Sequence, residues 1–127
     1  MKTTLIFLIL CTAALAAEPE LHGVAAQVND DIITFSQLRE QSAPDEALLR
    51  ETHKGKDLVD DLQTLRALHL NGMVDRLLLL QELKRQAHPL PHDANDEQID
   101  STIRDRFSSD RRQWLKRLKP KATIKIY

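Results

Sequence analysis

The sequence predicts an α+β fold that is predominantly helical. Three observations carry the prediction. Residues 24–35 read as a β-hairpin near the N-terminus, residues 122–127 alternate in the β manner at the C-terminus, and the apolar residues between them fall at helical spacings. A lone hairpin and a lone terminal strand are each marginal in water. The economical arrangement joins them in one small antiparallel sheet, with the helices packed on one side.

The chain opens with a segment that reads as a targeting signal rather than as part of the fold. Lys2 supplies a positive start, Leu5-Ile6-Phe7-Leu8-Ile9-Leu10 an apolar stretch, and Ala14-Leu15-Ala16 the small-x-small pattern of a cleavage site. The apolar stretch is too short for a membrane span, and Glu18-Pro19-Glu20 follows at once. The expectation is a periplasmic or secreted protein cleaved near Ala16, with no stable membrane insertion. Cys11, the one cysteine, falls inside this segment, and Leu10 before it is not the small residue that lipidation requires. Cleavage would leave a single domain, residues 17–127, without disulfides or a reactive thiol, so folding must rest on its apolar core or on an oligomer. It would carry 17 basic against 19 acidic residues, a balance that argues against nucleic acid as the main partner.

The elements follow in order. In the opening stretch Val24, Ala26 and Val28 alternate with Ala25 and Gln27, Asn29-Asp30-Asp31 suits a tight turn, and Ile32-Ile33-Thr34-Phe35 is β-branched and aromatic. This predicts strands over about 23–35, after which Ser36 reads as the N-cap of a short helix starting at Gln37. Residues 41–56, punctuated by Pro44 and Gly55, are expected to be irregular. A long helix is predicted over about 57–87, where Leu58, Leu62, Leu65, Met73, Leu77 and Leu80 share one face and Val59, Leu70, Val74 and Leu78 another. The Leu77–Leu80 run widens the apolar face, which implies burial against more than one neighbour. Gly72 suggests a kink or a close approach of another backbone. His88-Pro89-Leu90-Pro91 ends that helix. Asn95-Asp96-Glu97-Gln98 starts the next as a capping box, and Ile99, Ile103 and Phe107 follow as a narrow stripe. Ser108-Ser109-Asp110 is expected to cap a last helix carrying Trp114, Leu115 and Leu118, which closes the helical core of about 36–118. Pro120 stops it before the strand at 122–127.

These residues resemble the SurA-type periplasmic chaperones and parvulin-type prolyl isomerases. The hairpin with its "VN-DD-IIT" and capped "SQL" resembles the start of that family. The run from Leu70 to Glu82 resembles its "L-x-x-(I/M)-(I/V)-D-x-x-L-L-x-x-E" helix, and Asn95 to Asp100 resembles the start of the helix after it. Trp114-Leu115-Lys116-Arg117-Leu118 followed by Ala122-Thr123-Ile124-Lys125-Ile126 resembles its C-terminal helix and closing strand. The resemblance covers most of residues 23–127. The family's parvulin domain is missing, since only Ser108-Ser109-Asp110 separates Phe107 from the last helix. The resemblance thus implies the chaperone core alone, an ATP-independent binder of unfolded or partly folded envelope polypeptides, outer-membrane proteins among them. A prolyl isomerase, or a fragment of one, is the alternative from the same family. A third reading is a structural subunit or a homodimer formed by strand or helix exchange, because a shortened connection can keep the last helix from folding back on its own chain.

The residues themselves offer no constellation for catalysis. His22, His53, His69, His88 and His92 are scattered, and prolines interrupt the His88–His92 spacing, so a metal centre is not expected. Ser36, Ser42, Ser101, Ser108 and Ser109 read as caps or surface residues, and three isolated glycines make no phosphate loop. No catalytic residue, metal or cofactor is expected. The candidate client-binding residues are Phe35, Leu38, Met73, Leu77, Leu80, Phe107 and Trp114, as adaptable apolar surface. Arg104, Arg106, Arg111, Arg112, Lys116, Arg117, Lys119 and Lys121 make the C-terminal third basic, which suits either a solvated face or an acidic or anionic-headgroup partner.

Overall fold

The structure, a computed structural model, describes residues 23–88 and 90–127. The expected signal segment, Cys11, His22 and Pro89 lie outside them. Two strands, β1 (Val24–Val28) and β2 (Asp31–Thr34), lead into α1 (Phe35–Thr52) and α2 (Gly55–Arg85). Then come α3 (Asp96–Phe107), α4 (Arg111–Leu118), a 3₁₀ turn (Lys119–Lys121) and β3 (Ile124–Ile126).

The hairpin finds its third strand at the other end of the chain. The sheet order is β2-β1-β3 and both pairings are antiparallel, with Val28 opposite both Asp31 and Ile124. Asn29 makes the turn in the left-handed region, at φ 54°, a conformation its short polar side chain tolerates. The same residue fastens the turn on two sides. Its Oδ1 accepts from the Thr123 N–H at 2.9 Å, and its Nδ2 donates to Gln81 Oε1 at 2.8 Å. Gln81 Nε2 in turn donates to the Val28 carbonyl at 3.0 Å, so the sheet is tied to the C-terminal part of α2.

Three local expectations are corrected. The N-cap is Thr34, not Ser36: the Gln37 N–H donates to Thr34 Oγ1 at 3.2 Å, and the Thr34 N–H donates back to Gln37 Oε1 at 2.9 Å. The capping box lets α1 begin directly at the end of β2. Residues 41–52, expected to be irregular, continue α1 through Pro44. Proline removes one intrahelical bond, but its position is exposed, and Leu38, Ser42, Glu46 and Leu49 form a single stripe that faces inward. Finally, Asp110 precedes α4 without a side-chain cap bond. By contrast the Asn95–Gln98 capping box forms as the sequence implies, with bonds of 2.9 and 3.0 Å.

Two apolar cores share α2. In the first, Leu70, Val74 and Leu78 meet Ala25, Ala26, Val28 and Ile33 of the sheet and Leu38 of α1. In the second, Leu79 and Leu83 meet Ile103 and Phe107 of α3, with Trp114 against them. The consecutive leucines 77–80 are therefore divided, two to each core. Leu115 and Leu118 touch both clusters, so the turn at residues 108–110 returns α4 to its own α2.

Neither core contains any residue from 39 to 69. That part of α1 and α2 is an arm, reversed at Gly55, whose φ of 65° suits glycine. It is held by Leu62 and by polar pairs between the helices. At 1.5 Å per residue α2 is about 46 Å long, so it spans both the cores and the arm.

Gly72 is not a contact point, because a Cβ built there meets nothing within 4 Å. Gly72→Ala is therefore expected to raise stability by about 1 kcal/mol, since alanine restricts the unfolded chain and favours the helix. Urea denaturation checks this, and a loss of stability would restore the close-approach reading.

Candidate functional site

The arm and the body enclose an open groove of about 790 Å³. Leu65, Leu68, Met73 and Leu77 of α2 form its floor. Gln37, Gln41 and Asp45 of α1 make one wall, and Asp100, Ile103 and Arg104 of α3 the other. Both Ile32 and Ile33 line it. Consecutive strand residues point to opposite faces of a sheet, so the groove runs past the outer edge of β2. Ile32 is 53 % exposed and Leu68 is 68 % exposed. Each thus holds apolar surface in water that the isolated chain leaves uncovered.

The groove's polar rim is largely paired. His69 Nε2 lies 2.8 Å from Asp45 Oδ2, joining α2 to α1. Arg76 reaches Asp100 and Asp96 of α3, the latter at 3.2 Å. These contacts hold the walls to the floor while leaving the apolar strip between them open.

A second groove, of about 560 Å³, lies along different faces of the same two helices, lined by Phe35, Leu38, Ala67 and Leu70 with Arg39, Ser42, Gln63 and Arg66. The arm's main clasp borders it. Arg66 donates from Nε and Nη2 to the two carboxylate oxygens of Glu46, at 2.7 and 2.9 Å, and the buried Ser42 Oγ adds a bond of 2.9 Å. The Arg66 bond above all, opposed by the cost of burial, lowers the Glu46 pKa from 4.5 to about 2.

The seven expected binding residues are divided among three places. Met73 and Leu77, half-buried, belong to the large groove. Phe35, exposed, and Leu38, buried, belong to the second. Leu80, Phe107 and Trp114 pack in the second core. Phe107 is 1 % exposed, and its ring meets Trp114 edge-on at 5.5 Å, so it fills the interior and offers no surface. Leu68 and Ile32 were not singled out by the sequence. Leu68 falls off both apolar stripes of α2, and an apolar residue displaced onto the polar face is the signal that could have found it.

Among the described residues no three His, Cys, Asp or Glu side chains are grouped to hold a metal ion. No described helix is long and apolar enough to cross a membrane. No protein-family model, curated protein or solved structure matches this chain at a significant level.

Proposed function

We propose that the protein is an exported, ATP-independent chaperone or binding module that holds unfolded or partly folded envelope polypeptides, outer-membrane proteins among them. The observation that carries this reading is the groove between arm and body, floored by Leu65, Leu68, Met73 and Leu77 and open to solvent. Its volume matches several apolar side chains of a client segment. Methionine's flexible thioether adapts to varied shapes, and the Gln41 and Arg104 side chains of the walls can bond an irregular backbone. The reading treats the protein as non-enzymatic, because only the three residues 108–110 lie between α3 and α4, where the resembling family carries its isomerase domains.

The test is suppression of aggregation. Residues 17–127 are expected to keep an unfolded outer-membrane protein from scattering light at near-stoichiometric ratio. Aggregation unchanged at several-fold excess would contradict the proposal. A protease-coupled prolyl peptide assay on the same sample distinguishes the isomerase reading, which requires a rate above background.

A further inference from the structure

Basic charge gathers in the C-terminal part of the chain. Residues 104–125 carry nine Lys and Arg against two Asp, in a chain whose totals are 18 basic and 19 acidic. Pairing is equally uneven. Arg66, Arg76 and Arg85 each sit on a carboxylate. Lys119 Nζ is 2.7 Å from Asp75 Oδ1, and the Arg117 guanidinium lies 4.3 Å from the centre of the Trp114 ring. Arg111, Arg112 and Lys116 have no anionic partner among the described residues.

These three cations converge on one concavity. It measures about 570 Å³, lies between α4 and α2, and is completed by Ser108, Ser109, Leu115, Lys119 and the Asp75 that Lys119 already engages. We propose that this concavity is a binding site for a phosphate-bearing anion. Two guanidinium forks match the paired oxygens of a phosphate, Lys116 adds a mobile point charge, and the serine hydroxyls donate further bonds. The placement has a cost in the free protein. Arg111 and Arg112 occupy the first turn of α4, whose backbone end is already positive and which has no acidic residue or side-chain cap. A purely structural role predicts the reverse, cations that stabilise where they stand. Arg111 also lines the large groove, so the two concavities adjoin, but the ligand inferred here is an anion and not the apolar client segment of the chaperone reading.

Trp114 packs against the second core and does not line the concavity, so binding is followed by isothermal titration calorimetry. The full chain is titrated with sodium phosphate, with vesicles of phosphatidylglycerol in phosphatidylcholine, with polyglutamate, and with phosphatidylcholine vesicles as background. The comparison protein is the triple variant R111Q/R112Q/K116Q. Wild type is expected to respond saturably, and the variant to respond at least about tenfold more weakly, as loss of charge-assisted bonds requires. The variant's thermal midpoint without ligand should equal or exceed that of wild type. A response to free phosphate points to a small phosphorylated ligand and a response to anionic vesicles alone to a lipid headgroup, and each supports the site. Silence toward both, equal responses from wild type and variant, or a lower midpoint in the variant would overturn it. So would a response confined to polyglutamate, which would assign the patch to acidic polypeptides.

Discussion

Phe107→Ala is expected to cost about 3–5 kcal/mol, the usual range for removing a buried aromatic ring from a core. Phe107 is among the largest fully buried side chains of the described residues. It closes a cluster with Leu79, Leu83 and Ile103 and presents its ring to Trp114 at an interplanar angle of 74°. The ring lies where α3 and α4 both pack on α2, so refilling its space would require those helices to move. For a domain of this size the loss corresponds to a fall in Tm of roughly 15–30 °C. Urea unfolding followed by Trp114 fluorescence measures it, and a cost below about 1 kcal/mol would show that the second core is not packed as described.

Arg66→Met is expected to lose about 2–3 kcal/mol at neutral pH and to change how the protein responds to acid. The Glu46 carboxylate is only 9 % exposed, whereas Arg66 is 47 % exposed. The substitution thus leaves a buried anion held only by Ser42 and by Arg50 at 3.6 Å. In wild type the folded pKa of Glu46 lies below its unfolded value, so its contribution is fully present above about pH 4.5 and is lost as pH falls through about 2. That displacement corresponds to stability on the order of 3 kcal/mol. Unfolding free energies at pH 7 and pH 3 should therefore differ more in wild type than in the variant. Equal acid dependence of the two proteins would remove the Glu46–Arg66 clasp from the arm's account.

How much of this was legible in the sequence follows from the range of the forces involved. The sheet was legible because β-branched alternation is local and because unpaired strands at both ends left one economical partner for each. The α3 start was legible because its capping box is contained in four residues. The passage of α1 through Pro44 was not, since the penalty is local while the compensation comes from Arg66, 20 positions beyond Glu46. Ser36 and Thr34 are both capable caps, and only the end of the β1–β2 ladder decides between them. The site was partly legible for a similar reason. Helical spacing placed Met73 and Leu77 together, but it could not tell that Phe107 meets Trp114 inward, nor that the arm leaves Leu68 in water.

The claim at the centre of this account is that client segments lie in the groove between arm and body. Leu68→Asp tests it most directly, because the side chain is well exposed, so the fold has little to lose from a charge there. The account predicts an unchanged thermal midpoint and a several-fold weaker suppression of outer-membrane protein aggregation, as an anion placed in an apolar strip repels apolar segments. Suppression by Leu68→Asp equal to that of wild type would contradict it.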